Sequence, residues 1–389
     1  MERFALLIVL FAALATPLIT ARFHLTRMPT AISEIIMGII IGKTGLNIVQ
    51  PDASLQYISS LGVIMLIFLG GMEIDFSLLE PKKDKDTFSP LGTSIWGFVS
   101  VLLMSVILST LLYATGIFNE FVLAVILFST IALGVIISLL KEVGLLSTNY
   151  GQTILLTSAF GEFIPLLALT VYSAVKQQNY LSVFGLPVIF IIAIILLRRF
   201  NRIYIFFEGI DKSTTQLDIR LAFFLIFILV TFAEQIGAEN ILGAFLAGAV
   251  MKLLKPKADT EEKLSSMGYG FFIPVFFITT GVNLNLRTLL TNKQALILIP
   301  VFFIAFILSK MLVYVAFRKK FGKRYSAAAT IVTSTTITLV LPILQVGRNL
   351  KLITTAQSGA ITLAAIITCL IGPILFNKII NGGQKETNQ

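Results

Sequence analysis

One carboxylate in this sequence lies where a charge is costly. Glu162 stands within the largely apolar stretch Thr157–Leu167, and an acidic side chain at the centre of a membrane costs at least about 2.5 kcal/mol. Intramembrane residues of this kind usually face a cavity or a partner and usually have a function. Carboxylate oxygens can replace the water around a hard cation, while desolvation favours the protonated carboxyl group. A group that holds either one proton or one monovalent cation provides, by competition, the chemistry of exchange.

The residues next to Glu162 support this interpretation and leave one alternative. Ser158 lies one helical turn earlier on the same face, so its hydroxyl can share a ligand with Glu162. Gly161 allows another backbone segment to approach closely. In the alternative, Glu162 is a structural residue that is held by a partner such as Lys310.

Lys310 lies inside the apolar run Phe306–Leu312 and is the second candidate. Three roles are open for it: it can support helix ends or a carboxylate as a structural charge, take part directly in proton exchange, or extend toward the loop that begins at Arg318. Glu34, beside Ser33, is a weaker candidate. It either lines an inner funnel or caps a polar face near the membrane surface.

Composition places these residues in a membrane protein. The 389-residue chain is 56% hydrophobic and 13% charged, with a mean hydropathy of +0.93, whereas soluble domains carry about 25% charged residues. The net charge of +10 comes from basic residues in short loops between apolar segments, so it does not indicate nucleic-acid binding. The single cysteine, Cys369, excludes an intramolecular disulfide.

Apolar segments of membrane-spanning length predict an all-α polytopic protein of about thirteen transmembrane helices. The basic residues are most numerous in the loops that lie inside if the N-terminus is outside, which predicts an outer N-terminus and a cytoplasmic C-terminus. The predicted spans are 4–22, 28–47, 58–76, 90–113, 119–140, 148–175, 182–200, 216–236, 238–254, 266–283, 294–317, 322–346 and 355–379.

Two segments recur at an offset of 210 residues. Gly71–Leu79 resembles Gly281–Leu290, and Ser33–Gly38 resembles Gly243–Gly248. Repeats of about 28–175 and 238–379 follow, with opposite topology, because helix two matches helix nine. Inverted repeats place a substrate site near the middle of the membrane, at broken helices.

Two hydroxyl-rich stretches are the candidate breaks. Phe128–Gly134 interrupts the fifth predicted helix, and Thr330–Pro342 interrupts the twelfth. Hydroxyls can replace lost backbone partners, and a proline removes a donor. The alternative is that these threonines only pack helices together. The residues assigned to the broken-helix crossover, the place where the two interrupted helices would meet, are Ser129, Thr130, Thr333, Ser334, Thr335 and Thr336.

Several motifs, in order along nearly the whole chain, resemble the bacterial monovalent cation:proton antiporters, the family of sodium/proton exchangers and potassium efflux systems. The similar stretches are Pro29–Leu46, Leu61–Asp75, Ser129–Ala132, Leu140–Leu146, Leu242–Gly248 and Phe276–Gly281. The resemblance implies the sodium/proton antiporter fold, with crossed fifth and twelfth helices and a core domain that moves against a dimer domain in a homodimer. It places the ion and the proton at Glu162, with Ser158 and Thr130 nearby, and the family's basic residue at Lys310.

One departure from the family pattern concerns charge. Where members carry two acidic residues, or an amide and an acid, this chain has Gly161 and Glu162. Because electrogenic members of the family use a paired acid, the resemblance implies electroneutral exchange of one cation for one proton. Because the carboxylate is Glu rather than Asp, the geometry of coordination changes, and the selectivity for Na⁺ over K⁺ stays open. Only Asn377–Gln389 follows the last predicted helix, so we expect no nucleotide-binding regulatory domain in this chain.

The favoured interpretation is an Na⁺(Li⁺)/H⁺ antiporter in the bacterial plasma membrane that needs no cofactor. K⁺/H⁺ exchange, a gated cation channel or membrane sensor, and symport of an organic anion are the alternatives. An enzyme is not expected, since the sequence has no metal-ligand cluster, glycine-rich phosphate loop or nucleophile–histidine pair.

Overall fold

A computed structural model describes residues 2–23, 30–73, 90–178, 188–196, 198–199, 216–235, 240–284 and 286–382. Within these ranges the regular structure is entirely helical. Seven of the described helices are long and apolar enough to cross a membrane, so the chain is a multi-pass membrane protein. The number thirteen remains a prediction, because several segments between spans lie outside the described residues.

The helices follow one another along the chain in this order: α1 Glu2–Arg22, α2 Thr30–Ile41, α3 Ala53–Met72, α4 Pro90–Ala114, α5 Phe121–Ser129, α6 Leu133–Glu142, α7 Asn149–Lys176, α8 188–196, α9 Leu217–Gln235, α10 Asn240–Leu253, α11 Ala258–Met267, α12 Ile273–Asn283, α13 Leu286–Thr291, α14 Lys293–Leu308, α15 Met311–Thr333, α16 Ile337–Asn349 and α17 Thr355–Gly382.

The predicted spans agree with these helices in position but less well at their ends. The predicted second span, 28–47, ends earlier, because α2 stops at Ile41. The described part of the predicted seventh span is helical, whereas the turn around Gly237 lies outside the described residues. The predicted eleventh and twelfth spans are separated at Gly322, whose positive φ of 76° breaks the helix direction within α15.

One helix, the polar α11, lies almost wholly outside the predicted spans. The polar helix α11 continues through a π-helical turn, Gly268–Phe272, directly into α12. In that turn the N–H of Ile273 donates to the carbonyl of Gly268. A π turn leaves no periodic signal in the sequence, since it depends on a single wider backbone ring.

The chain forms two compact units. The first consists of Met1–Arg22, Ser33–Phe76 and Thr170–Leu284, and the second of Phe23–Ile32, Ser77–Leu169 and Asn285–Gln389. All of the predicted crossover residues belong to the second unit.

In the first unit, α2 packs on α12 through glycines in direct backbone contact. A Cβ atom at Gly38 would collide with the carbonyl oxygen of Ile278, and one at Gly281 with that of Ile35. The contacts continue in the same direction along both helices, because the hydroxyl of Thr44 donates to the carbonyl of Leu284, 2.6 Å away. The two helices therefore run parallel.

The pair α10 and α3 repeats this contact with its members exchanged. A Cβ at Gly248 would collide with the carbonyl oxygen of Phe68, and one at Gly71 with that of Phe245. Each of these residues lies 210 positions from its counterpart in the first pair. Such reciprocal contacts are expected of two copies related by a two-fold axis.

The direction of the helices indicates that the copies are inverted. The successive membrane helices α2 and α3 are joined by residues 42–52 and therefore run in opposite directions through a membrane. Since α10 packs on α3 as α2 packs on α12, α10 runs opposite to α2. This supports the predicted repeat relation, although the predicted outer bounds of the repeats remain a prediction.

We expect Gly38→Ala and Gly248→Ala to destabilise the protein by similar amounts, about 1–3 kcal/mol, because each places a methyl group against an equivalent carbonyl oxygen. Gly92→Ala in α4, where a Cβ would meet nothing within 4 Å, is the matched control. Thermal unfolding in detergent measures the three shifts. A loss at position 38 with none at position 248 would contradict the two-fold relation.

Candidate functional site

Two helices of the second unit are interrupted. The first interruption, residues 130–132, separates α5 from α6, and the second, residues 334–336, separates α15 from α16. Both lie within the stretches in which the sequence predicts a break. Pro342 lies inside α16 rather than at the interruption, so the hydroxyl-rich residues mark the break better than the proline does.

The two interruptions contact each other through main-chain and side-chain groups. The N–H of Ala132 donates to the carbonyl of Thr335, 2.8 Å away, and the hydroxyls of Thr130 and Thr336 share a hydrogen bond. Polar backbone groups in an apolar environment must find protein partners. Each interruption therefore supplies partners that the other needs, and the helices cross at this point.

The predicted ion-binding helix joins the same point through Gly161. The N–H of Ile131, in the first interruption, donates to the carbonyl of Gly161 at 3.0 Å. A Cβ at position 161 would lie 2.6 Å from Cγ1 of Ile131, so the contact requires glycine. Glu162, the next residue, is only 3% exposed. The structure thus places the backbone of the buried carboxylate directly beside the crossing.

The hydroxyl groups around the crossing have an orientation in common. Each donates its proton to a main-chain carbonyl of the preceding helical turn, at 2.6–2.9 Å. The residues are Ser129, Thr130, Ser158, Thr333, Ser334 and Thr335. Because a hydroxyl has one proton and two lone pairs, an oxygen whose proton is already donated can still accept a hydrogen bond or bind a cation.

Lys310 is fully buried and lies at a turn between α14 and α15, rather than in the middle of a helix as the sequence suggests. Its Nζ donates to the carbonyl of Phe128 at 2.6 Å and lies 5.9 Å from the ring centre of Phe306. The Phe128 carbonyl belongs to the last turn of α5, where helix carbonyls lack helical partners and the helix dipole is negative. The contact is one that a structural charge makes with a helix end, and the role of Lys310 among the three stays a prediction.

Glu34 is 4% exposed and lies in α2, within the first unit. The hydroxyl of the adjacent Ser33 has no hydrogen-bond partner in the described part of the chain. The structure therefore groups Glu162, Ser158, Thr130 and Lys310 in one unit and Glu34 in the other. The funnel role of Glu34 remains a prediction.

Three residues that shape the crossing were not predicted. Ile131 fills the space beside Gly161, and a Cβ at Gly372 of α17 would lie 2.5 Å from Cγ2 of Thr335. The buried thiol of Cys369 lies against the backbone of Thr336 and Ile337. These residues act through close contact with main-chain groups, for which residue type alone gives little signal.

Two broken helices that cross beside a buried carboxylate, in a chain with inverted copies of a helix pair, define a secondary transporter. The family model for the transmembrane part of sodium/hydrogen exchangers matches residues 7–380. The chain belongs to the sodium/hydrogen exchanger family.

Two relatives and one solved structure extend this comparison. The chain is 37% identical over 387 residues to YjbQ of Bacillus subtilis, whose name describes an Na⁺/H⁺ antiporter; the match covers 96% of this chain and 62% of the length of YjbQ. It is 24% identical to an Na⁺/H⁺ antiporter of Enterococcus hirae, over 90% of this chain and 92% of that protein. The fold matches the sodium proton antiporter MjNhaP1 of Methanocaldococcus jannaschii, with a TM-score of 0.62 over 99% of this chain and 98% of that chain, at 16% identity.

The contact between Gly161 and Ile131 can be tested by a double-mutant cycle. We expect Gly161→Ala to lower thermal stability, because its methyl group would collide with Ile131. Ile131→Ala removes Cγ1 and Cδ1, so the double variant should recover part of the loss, with a coupling energy of about 0.5–3 kcal/mol. Additive losses in the cycle would contradict the contact, and Gly92→Ala again serves as the control.

Lys310→Met removes the donor to the Phe128 carbonyl, so we expect a loss of stability of roughly 1–3 kcal/mol in thermal unfolding. Lys310→Arg keeps a donor and should lose less. Because arginine stays protonated in proteins, the Arg variant also separates two roles. Cation/proton exchange retained by folded Lys310→Arg supports a structural role, whereas abolished exchange would assign proton transfer to Lys310.

Proposed function

We propose that this chain exchanges Na⁺, or Li⁺, for H⁺ by alternating access, with Glu162 binding the two ions in turn. The observation that carries the proposal is the position of Glu162, buried and directly attached to Gly161 at the crossing of the broken helices. Membership of the sodium/hydrogen exchanger family supports the same activity.

Competition at one carboxylate accounts for coupling. With a proton or with one Na⁺, Glu162 is neutral as a site, and a neutral site is tolerated in apolar surroundings. With neither ion bound, the carboxylate places a net charge in buried surroundings, which is costly. The transporter therefore changes its accessible side with an ion or a proton bound, and each Na⁺ that leaves is replaced by one H⁺.

The hydroxyl oxygens near the crossing are the further ligands that we propose for the cation. The hydroxyls of Ser158 and Thr130 already donate their protons to Ile154 and Leu127, respectively. Their oxygens present lone pairs, and oxygen ligands suit a hard cation. The proposed site for Na⁺ therefore comprises Glu162, Ser158 and Thr130.

Lys310 supports this site without binding the ion. The crossing brings together helix ends of both signs: the last turns of α5 and α15 are negative, and the first turns of α6 and α16 are positive. The ammonium group of Lys310, bound to the Phe128 carbonyl, offsets the negative end of α5. The charge of Lys310 thus stabilises the interrupted backbone in surroundings where no water is needed to offset the helix end.

Electroneutral exchange follows from the single carboxylate. Gly161 precedes Glu162, and the space beside it is filled by Ile131. A second acidic side chain at position 161 would displace Ile131 from its hydrogen bond with the Gly161 carbonyl. The geometry thus favours one binding carboxylate and a ratio of one cation to one proton.

We further propose a homodimer in the bacterial plasma membrane, with the N-terminus outside and the C-terminus cytoplasmic. The excess of basic residues in the corresponding loops supports this orientation. The family resemblance supports the dimer.

Everted membrane vesicles test the exchange directly. In vesicles acidified by respiration, added Na⁺ or Li⁺ should raise the luminal pH, and Glu162→Gln should abolish this response because an amide neither binds a proton nor carries the charge that attracts Na⁺. Glu262→Gln, at an exposed glutamate of α11, is the matched control and should retain exchange. A Glu162→Gln variant that folds and still exchanges would refute the site.

The same vesicles distinguish selectivity and stoichiometry. A response to K⁺ as strong as that to Na⁺ would assign K⁺/H⁺ exchange instead. With a membrane-potential probe present, exchange should proceed without a change in potential, whereas a potential generated by Na⁺ would contradict the ratio of one to one.

A further inference from the structure

The turn between the two halves of α15 is strongly basic. Residues 318–324 read Arg-Lys-Lys-Phe-Gly-Lys-Arg, and the chain contains no Asp or Glu from residue 263 to residue 385. Arg318, Lys319, Lys320 and Lys323 are all exposed. Since the turn joins two membrane helices, these side chains are presented where a membrane surface begins.

The turn is fixed to neighbouring helices by aromatic contacts and by hydrogen bonds from Arg324. Phe321 packs against Tyr150, with ring centres 5.3 Å apart, and against Phe317 at 5.7 Å. Arg324 donates from Nε to the carbonyl of Ile379 at 2.7 Å and from a terminal nitrogen to that of Ile380. The aromatic residues and Arg324 therefore anchor the turn to α7 and to the end of α17.

Tyrosines complete the surface of the turn. The guanidinium of Arg318 lies 5.8 Å from the ring centre of Tyr314, and Tyr325, whose carbonyl accepts from the hydroxyl of Tyr150 at 2.7 Å, is 42% exposed. Tyrosine and basic side chains together are typical of the headgroup region of a bilayer. Phe317, Phe321 and Arg324 therefore pack the turn against the protein, whereas Arg318, Lys319, Lys320 and Lys323 are exposed on its outer side.

We propose that Arg318, Lys319, Lys320 and Lys323 form a binding surface for the headgroups of anionic phospholipids. Clusters of basic residues at the membrane boundary attract anionic lipids, and guanidinium and ammonium groups are good donors to phosphate oxygens. No Asp or Glu occurs between residues 263 and 385, so this stretch of sequence carries a net positive charge around the cluster.

The position of the turn connects this surface to the candidate site. Gly322 divides α15 into two arms. The first arm begins next to Lys310, and the second ends next to Ser334, at the second interruption. Because helices transmit displacements as stiff elements, a lipid bound at the turn would restrain both arms. Lipid binding itself does not depend on the proposed exchange activity.

Lipid binding can be measured on the purified full chain in detergent. We expect phosphatidylglycerol to raise the unfolding temperature more than phosphatidylcholine does, and to remain bound in native mass spectra. In the variant R318Q/K319Q/K320Q/K323Q the affinity for phosphatidylglycerol should fall at least roughly tenfold. Arg324 is kept in every variant because it anchors the turn.

Two further variants keep the result interpretable. K43Q/R287Q/K293Q/K351Q removes as many exposed basic residues elsewhere and should bind phosphatidylglycerol as the unmodified protein does. R318K/K319R/K320R/K323R keeps the charges and should also bind, so a folded glutamine variant that has lost binding identifies the charges as the cause.

Three outcomes would overturn the proposal. The first is an equal response of the unmodified protein to the two lipids. The second is an equal loss of binding in the K43Q/R287Q/K293Q/K351Q variant. The third is equal stabilisation by inorganic phosphate, which would indicate a site for free phosphate rather than for a lipid.

Discussion

The second unit depends on one constraint: a backbone that leaves the helix within a membrane must satisfy its polar groups inside the protein. At the two interruptions the partners come from other parts of the chain: the opposite interruption, a neighbouring helix and a buried lysine. Ala132 bonds to Thr335, Ile131 to Gly161, and Lys310 to Phe128. The carboxylate of Glu162 lies beside this network because Gly161 is one of its members. The candidate ion site is therefore built on the same contacts that make the broken helices possible.

The first unit meets a different demand, the close approach of helices, and meets it twice in the same way. Gly38 and Gly281 allow α2 and α12 into backbone contact, and Gly248 and Gly71 do so for α10 and α3. In lipid, helix association relies on such close packing rather than on the hydrophobic effect. Larger side chains at these positions would separate the helices, which accounts for the recurrence of glycines at one offset.

Much of this arrangement was open to prediction. An acidic residue within an apolar stretch, clusters of hydroxyls within otherwise aliphatic helices, and two glycine-containing motifs at one offset are all unusual in composition. Each is costly or useless unless a specific structure accommodates it, so its presence indicates that structure. For this reason the burial of Glu162, both interruptions and the repeat relation could be inferred from the sequence, whereas the binding of an ion at Glu162 stays a prediction.

The sequence by itself thus determined which residues are exceptional, because the cost of a charge or of an open backbone in lipid depends on residue type and surroundings along the chain. Only the tertiary structure decided which partners they have. Main-chain groups take part in each of these contacts: Ile131 against Gly161, Lys310 with the Phe128 carbonyl, Thr335 against Gly372, and the π turn before α12. Every residue has a carbonyl and nearly every residue has an N–H, so only the path of the chain in space selects the ones that meet.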